Sequence, residues 1–287
     1  MIKINIFLAI YTYNNDIHRY TLTEKIFKHY KNIVEKFKDK AIFTFTIFGS
    51  ENNISKNLTL RYFKSNAYVE FDQNHKSFKG DFYKMLGKKI NQGINLSVKN
   101  DTDIVLWAGS NDYICFDFFE QIINYYNPEK PQIYGIDNYT NGKNAVFLTH
   151  YDGNRCVNKS LCLTSHKKMS YWWDGISDYD GRKKYKYSGG IIGINKKCLS
   201  LYPDILSVWG FDEGAIEEYI LKKPQIDKFT SKNIFYMNIK TLSNTEINSF
   251  NTLKNFNKNN MLNFKDFSDE FKEKFIKEFD YFVDLHN

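Results

Sequence analysis

The sequence predicts an α/β fold in which a mostly parallel central sheet is flanked by helices. Two observations carry this prediction. The first half of the chain alternates apolar strands with helices, which is typical of a Rossmann-type sheet. Three of these strands also lead into polar or glycine-containing segments, at 11–15, 49–51 and 109–112. Because parallel sheets bind ligands at the carboxyl ends of their strands, these segments are the first candidates for a functional site.

The first half accounts for most of the predicted sheet. Runs of β-branched and aromatic residues predict strands over 2–10, 41–48, 67–71 and 103–108. The capping-box spacing of Thr21 and Glu24 predicts the start of a helix that ends near Lys38. Helical spacing of apolar residues predicts two more helices, over 80–98 and 114–126.

The second half is less regular. Strands are predicted over 131–136, 145–150 and 188–194, and helices over 195–202, 212–222 and 266–283. Residues 164–187 form a long polar and aromatic stretch without clear periodicity. Residues 251–263 are rich in Asn and Lys, as expected of a loop or linker.

Composition narrows the functional classes. A chain of 287 residues with 42% hydrophobic and 17% aromatic residues can bury a large core, which excludes disorder as its overall state. The net charge of +7 suits an anionic ligand such as a nucleotide. Only four of the 40 basic residues are Arg, which nucleic-acid readers prefer for bidentate contacts. We therefore expect no nucleic-acid partner.

Cysteine usage and hydropathy bear on location. Cys115, Cys156, Cys162 and Cys198 are scattered without a C-x-x-C pair, so reduced thiols are the simplest interpretation. No apolar run approaches the roughly 20 residues that cross a bilayer. The Ile-rich start lacks a small-residue cleavage site and is interpreted as a strand rather than a signal sequence. We therefore expect a cytoplasmic protein without a transmembrane segment.

The turn Gly109–Asp112, with the sequence Gly-Ser-Asn-Asp, follows an apolar strand and carries one carboxylate. Such a turn exposes backbone amides and an oxygen ligand at the carboxyl edge of a sheet. Mg²⁺ and Mn²⁺ prefer oxygen ligands and often bridge to substrate phosphates, which makes Asp112 a candidate metal ligand. The alternative is an ordinary strand-to-helix turn in which Asn111 or Asp112 caps the following helix.

Two further polar segments have both a functional and a structural interpretation. Lys89 and Asn91 lie on one helical turn and could reach a diphosphate or a ribose, or could form a solvated helix face. Asp212 and Glu213 could supply a general base, or could lie at a helix N-terminus because acids suit the helix dipole. Neither pair decides the function by itself.

A third group of residues could contact a sugar. Gly189 and Gly190 open a predicted strand and would let the backbone approach a ligand closely. Trp173 belongs to the aromatic run at 171–174, and aromatic faces suit the apolar faces of sugar rings. The same tryptophans could equally cap a core.

The order of these segments resembles the GT-A glycosyltransferases, especially the family-2-like group, over residues 1–225. The resemblance rests on the segments TDIVLWAGSNDYI, SGGIIGINKKCL and WGFDEGAIEEYI, and on the strands that precede them. Gly109–Asp112 resembles the Gly-Ser-Asp-Asp form of that group's acidic DxD motif, with Asn111 in place of the first Asp. Asp212 and Glu213 resemble its acidic pair, usually Glu-Asp, which supplies the base in inverting members.

The resemblance implies a GT-A-like fold and an enzyme that moves a sugar from a nucleotide-diphosphate sugar to a glycan or another hydroxyl acceptor. It implies that the donor contacts Tyr11, Thr12, Tyr13, Glu51, Lys89, Ser110 and Asn111, with Mn²⁺ or Mg²⁺ on Asp112. It implies that the acceptor lies near Trp173, Gly189 and Gly190, where Asp212 takes its proton and Glu213 is the alternative base.

The resemblance also implies a division of the chain and leaves a rival open. Residues 1–225 would form the glycosyltransferase domain, with a nucleotide-sugar half at 1–125 and an acceptor half at 126–225. Residues 226–287 would be a mainly helical C-terminal extension. Asn111 in place of Asp lowers the negative charge offered to a cation, so the rival hypothesis is a catalytically degenerate module that binds a nucleotide or glycan without turnover.

Overall fold

The computed structural model describes most of the predicted sheet and part of the second half. The described residues are 1–10, 17–49, 52–64, 67–70, 91–98, 101–137, 145–150, 162–164, 187–205, 219–220, 222–229, 233–240, 261–262 and 268–284. They form a seven-stranded sheet, a five-stranded sheet and the helices around them.

The strands are numbered in chain order. The larger sheet contains β1 (Ile2–Ile10), β2 (Ala41–Gly49), β3 (Tyr68–Glu70), β4 (Ile104–Gly109), β6 (Gln132–Asp137), β9 (Tyr187–Asn195) and β10 (Asp227–Lys228). The smaller sheet contains β5 (Asp112–Ile114), β7 (Ala145–His150), β8 (Cys162–Thr164), β11 (Phe235–Lys240) and β12 (Met261–Leu262). The described helices are α1 (Ile17–Phe37), α2 (Asn52–Tyr62), α3 (91–98), α4 (Phe116–Tyr125), α5 (Lys196–Leu201) and α6 (Asp269–Asp284).

The larger sheet confirms the predicted fold class. Its strand order is β10–β6–β9–β4–β1–β2–β3. The neighbouring pairs are parallel except those of β9, which runs antiparallel to both β4 and β6. This mostly parallel sheet with flanking helices is consistent with a GT-A-like, Rossmann-type fold.

The larger sheet is buried on both faces, which explains its continuous apolar strands. Along β4, Ile104 and Leu106 belong to the cluster under α1 and α4, whereas Val105 belongs to the cluster under α3 and α5. On the second face, a Cβ at Gly93 of α3 would lie 2.2 Å from the ring of Phe7 in β1. Glycine is therefore required where this helix approaches the sheet.

The capping-box prediction at Thr21 and Glu24 is wrong, because α1 begins at Ile17. The Thr21 hydroxyl donates to the Ile17 carbonyl at 2.7 Å, one helical turn back. The Glu24 carboxylate accepts from Arg61 at 2.8 Å and from the Tyr62 hydroxyl at 2.7 Å, both on α2. Thr21 therefore bonds within α1 and Glu24 bonds to α2, so the two residues do not form a capping box.

The C-terminal segment adds strands as well as a helix. β10 pairs with β6 in the larger sheet, and β11 pairs with both β5 and β7 in the smaller one. The segment ends in α6, which contacts α1 through the bond between Tyr281 and Asn32. The domain boundary at residue 225 stays a prediction. Within the described residues, no helix combines the length and apolarity needed to cross a membrane.

Candidate functional site

The register of the larger sheet brings three strand ends to one edge, which we call the carboxyl edge. Ile10, the last residue of β1, pairs with Gly49, the last residue of β2. Ala9 pairs with Gly109, the last residue of β4. The segments that follow β1, β2 and β4 therefore all start from this edge, as the sequence predicts for a ligand site.

The antiparallel strand β9 enters the sheet at the same edge. Tyr187 pairs with Asp137 and Ser188 with Ile136, and these two partners are the last residues of β6. Gly189 and Gly190 follow directly in β9, so they lie within two residues of the carboxyl edge. The sheet thus brings the predicted acceptor glycines to the edge where β4 and β6 end.

Most of the predicted site residues lie outside the described residues. These are Tyr11, Thr12, Tyr13, Glu51, Lys89, Trp173, Asp212 and Glu213. Their roles stay predictions. The described members of the site are Ser110, Asn111, Asp112, Gly189 and Gly190.

Asp112 folds back over the turn that precedes it. Its Oδ2 accepts a hydrogen bond from the Gly109 amide at 2.6 Å. A Cβ on Gly109 would lie 2.7 Å from that oxygen and 3.0 Å from Asn111 Oδ1. The turn therefore needs glycine at its first position, because the side chains of residues 111 and 112 occupy the space that a Cβ would fill.

The alternative interpretation of this turn, as the cap of the next helix, is wrong. Asp112 opens the short strand β5, where it pairs with Asn238 of β11. Helix α4 begins only at Phe116, and its N-cap is Cys115, without a side-chain capping bond. The turn thus joins the two sheets and does not lead directly into a helix.

Arg19 is a site residue that the sequence analysis missed. It lies on the first turns of α1 and is 8% exposed. Its Nη2 donates to Ser110 Oγ at 2.9 Å and to Asn111 Oδ1 at 3.2 Å. The one available signal was its rarity, because Arg is scarce among the basic residues of this chain.

Asn111 connects Arg19 to the smaller sheet. Its Oδ1 accepts from Arg19, while its Nδ2 donates to the Ile239 carbonyl at 3.0 Å. The Ile239 amide in turn donates to the Asn111 carbonyl at 2.9 Å. A carboxylate can only accept, so Asp at this position could bond to Arg19 but not to the Ile239 carbonyl. The amide of Asn111 therefore makes a contact that a carboxylate at this position could not make.

Helix α6 contacts the residues that follow Asp112. The Tyr113 hydroxyl donates to Glu278 Oε2 at 2.8 Å. His29 of α1 lies under the same strand, where its Nε2 donates to the Ile114 carbonyl at 2.8 Å. The His29 and Tyr113 rings stack with their centroids 4.2 Å apart. The strand after the turn is therefore held from two sides.

Burial shifts the pKa values of the two titratable groups beside Tyr113, His29 and Glu278. Complete burial lowers the pKa of His29 from 6.5 to about 4, against a smaller opposing effect of its bond to Ile114. Burial also raises the pKa of Glu278 above its ordinary 4.5. Both shifts disfavour the charged form, so the two groups respond to pH in opposite directions.

The described part of the site offers a cation one carboxylate. No group of three His, Cys, Asp or Glu side chains suited to a metal ion occurs among the described residues. Within the turn, Asp112 is the acidic residue, while Ser110 and Asn111 bond to a guanidinium. This donor set fits a Mg²⁺ or Mn²⁺ ion that is held mainly by phosphate oxygens and water.

Comparisons with known proteins give distant similarities in fold. No protein-family model matches the chain, and no curated protein matches it. One similar structure is a glycosyltransferase involved in the glycosylation of the major capsid of PBCV-1. It has a TM-score of 0.36 and 10% identity, with 79% of this chain and 81% of that chain covered.

Two further solved structures are also similar to this chain. S. aureus TarS 1–349 in complex with UDP has a TM-score of 0.42 and 12% identity, with 99% of this chain and 81% of that chain covered. The inositol-1-phosphate CTP transferase from T. maritima has a TM-score of 0.38 and 11% identity, with 89% and 97% covered. With identities this low and TM-scores this small, none of these similarities assigns a role to a residue.

Proposed function

We propose that the protein is a nucleotide-sugar-dependent glycosyltransferase. It moves a sugar from a nucleotide-diphosphate donor to a glycan or another hydroxyl acceptor, with inversion at the anomeric carbon. The observation that supports this proposal is the shared carboxyl edge. There, β1, β2 and β4 end side by side, β9 begins, and the turn with Asp112 follows β4.

The proposed roles divide this edge between donor and acceptor. Tyr11, Thr12, Tyr13 and Glu51 follow β1 and β2 in the sequence and contact the nucleoside. Lys89 and the Gly109–Asp112 turn face the diphosphate, where the backbone amides of the turn and the Lys89 ammonium offset its negative charge.

The acceptor half supplies the base. The acceptor hydroxyl lies near Trp173, Gly189 and Gly190, and Asp212 accepts its proton as the oxygen attacks the anomeric carbon. Glu213 is the alternative base. One displacement at that carbon, with the nucleoside diphosphate leaving from the opposite face, inverts its configuration.

Asp112 is the residue that would hold Mn²⁺ or Mg²⁺. Its carboxylate lies at the end of the turn, and Gly109 fixes one of its oxygens. Such an ion, when bound, neutralises charge on the leaving diphosphate. The chain itself fixes the Asp112 carboxylate through the Gly109 amide and has a neutral side chain, Asn111, at the preceding position.

One observation favours a second candidate, a catalytically degenerate module that binds a nucleotide or glycan without turnover. Because residue 111 is Asn, the turn has a single carboxylate. The amide of Asn111 is bonded to Arg19 and Ile239. A binding protein has less need of a cation at the diphosphate than a transferase, because no leaving group develops charge.

Thermal unfolding with UDP, GDP, dTDP and CMP, each with and without Mn²⁺, tests the donor site. A ligand that binds the folded state alone raises the Tm. We expect one diphosphate to raise the Tm selectively, and more strongly with Mn²⁺. No shift with any nucleotide at millimolar concentration would count against the transferase and would leave a glycan-binding module as the remaining candidate.

Asp212→Asn separates the two candidates. For a transferase, this variant loses sugar transfer from the selected donor but keeps nucleotide binding. Asp204→Asn is a matched control, because Asp204 is an exposed carboxylate. Wild-type protein that binds a nucleotide but transfers no sugar across a broad set of donors and acceptors supports the binding module.

A further inference from the structure

Arg19 is buried at the point where the two sheets meet. Its guanidinium is on α1, and the two side chains it contacts are on the turn between β4 and β5. A buried guanidinium is costly unless its donors are used, so its burial here depends on these contacts. The side chain therefore ties α1, which follows the predicted nucleoside segment, to the turn that follows β4.

The contacts of Arg19 reach Asp112 through two steps. Arg19 bonds to Asn111, and Asn111 is fixed on its other side by two bonds to Ile239. Asp112 is the next residue, and its carboxylate bonds back to Gly109 within the same turn. A shift of the side chains at 110 and 111 would therefore move the carboxylate at 112.

We propose that Arg19 is a positioning residue for the donor diphosphate, which it affects through Ser110 and Asn111. It holds the Gly109–Asp112 turn in the one arrangement that presents Asp112 at the carboxyl edge. The part that concerns the diphosphate rests on the proposed function. The part that concerns the turn does not.

The two bonds of Arg19 to the turn leave from the same end of its planar guanidinium. One guanidinium nitrogen bonds to both Ser110 and Asn111, which lie side by side on the turn. A lysine ammonium keeps the charge but lacks the fixed fork geometry. Arg19→Lys thus separates the charge of the side chain from its geometry, and Arg19→Gln removes the charge.

The first test needs no ligand. Hydrogen exchange is measured on wild type, Arg19→Lys, Arg19→Gln and the matched control Arg61→Gln, whose arginine is 59% exposed on α2. We expect faster exchange in both Arg19 variants for peptides that span 109–114. Peptides that span Gln132 and Asn195 at the opposite edge should be unchanged. Unchanged exchange of the turn in both Arg19 variants would overturn the proposal.

The second test measures affinity for the nucleoside diphosphate that stabilises the wild type, by calorimetry with and without Mn²⁺. We expect Arg19→Lys to bind about tenfold more weakly and Arg19→Gln more weakly still, while Arg61→Gln stays near wild type. Arg19 variants that unfold more easily but bind the diphosphate as wild type does would overturn the positioning role.

The two tests also separate this proposal from the proposed function. If the wild type binds no nucleoside diphosphate, the donor-site hypothesis and the diphosphate part of this proposal both fail. Faster exchange of the turn would then still support the structural part. If the wild type binds and the Arg19 variants bind equally well, the proposed function stands and the positioning role is wrong.

Discussion

The two ends of the larger sheet carry buried polar clusters of different kinds. At the amino edge, where β6 starts and β9 ends, the cluster is built on the amides of Gln132 and Asn195. Asn195 Oδ1 accepts from the amides of Gln132 and Cys198, both at 2.9 Å, and its Nδ2 donates to the Lys130 carbonyl at 2.8 Å. At the carboxyl edge, the corresponding cluster is built on the guanidinium of Arg19.

The two clusters differ in the side chains at their centres, which are amides at the amino edge and a guanidinium at the carboxyl edge. At the amino edge the amides satisfy backbone groups, and the charged member of the cluster is the half-buried carboxylate of Asp227, which accepts from Gln132 at 3.0 Å. A buried cation costs more than a buried amide, so the carboxyl edge depends on the contacts that Arg19 makes. The amino edge is thus the structural reference against which the carboxyl edge can be tested.

The largest effect should come from Asp112→Asn. Asn can still accept the bond from Gly109, so we expect the fold to persist. Removing the carboxylate should lower sugar transfer by about 100-fold or more, because it removes the proposed cation ligand at the diphosphate. The measurement is the initial rate with the selected donor as Mn²⁺ is varied. Transfer within a few-fold of wild type would remove Asp112 from the site.

The next effect concerns stability at the amino edge. Asn195→Ala leaves two buried amides without their acceptor and removes the N-cap of α5, so we expect a loss of about 3 kcal/mol in the free energy of unfolding. Urea unfolding measures it. Asn195→Asp, which keeps an accepting oxygen, should lose less. Nucleotide affinity should not change in either variant; a change would mean that the two edges are coupled.

Acid should weaken the carboxyl side through His29. Its pKa of about 4 lies below the ordinary 6.5, so between these two pH values the unfolded chain binds a proton at His29 and the folded chain does not. The contribution of neutral His29 to stability is therefore complete above pH 6.5, and up to about 3 kcal/mol of it is lost as the pH drops towards 4. Urea unfolding across this range measures the slope, which His29→Gln should remove.

Glu278 provides the control of opposite sign for that slope. Its raised pKa means that its contribution to stability is largest at low pH and is lost as the pH rises through the folded-state value. In wild type it therefore offsets part of the acid loss from His29. Glu278→Gln should make the acid loss steeper, and a shallower loss would contradict the assignment.

The smallest effect should come from Asp101→Asn at the amino edge. Asp101 forms exposed ion pairs with Lys3 at 2.5 Å and with Lys196 at 3.3 Å, and solvent screens such pairs strongly. Asn tolerates the positive φ of 51° at this position. We expect an unchanged Tm at physiological salt, and a clear drop in Tm would show that this edge depends on charge after all.

The strands of the parallel core could be predicted from the sequence because burial on both faces leaves a strong pattern. β1, β2, β4 and β6 were predicted to within a residue or two of their bounds. Short strands such as β5 and β10 are too brief to carry a pattern. β11 was missed although it has six residues, because the partners that define it are far away in the chain.

Helix α2 was missed for a different reason. Its sequence, NNISKNLTLRY, is mostly polar, so the spacing of its apolar residues does not predict a helix. Tertiary contacts stabilise it, including the bonds of Arg61 and Tyr62 to Glu24. Helical stability of this kind comes from packing and cannot be read from propensity.

The candidate site could be predicted only as a set of turns. The position of the Gly109–Asp112 turn followed from the strand before it, because strand ends mark the ligand edge. The orientation of Asn111 could not be predicted, since Arg19 and Ile239 come from opposite ends of the chain. The roles of Asp112 and of the remaining site residues stay predictions.

The bonds between Asn111 and Ile239 have a consequence for the order of folding. These residues are 128 positions apart, so this contact cannot form during synthesis until β11 has left the ribosome. The core pairs among β1, β2 and β4 can form well before that point. The contact that completes the turn beside Asp112 thus becomes possible later than the pairing of these three strands.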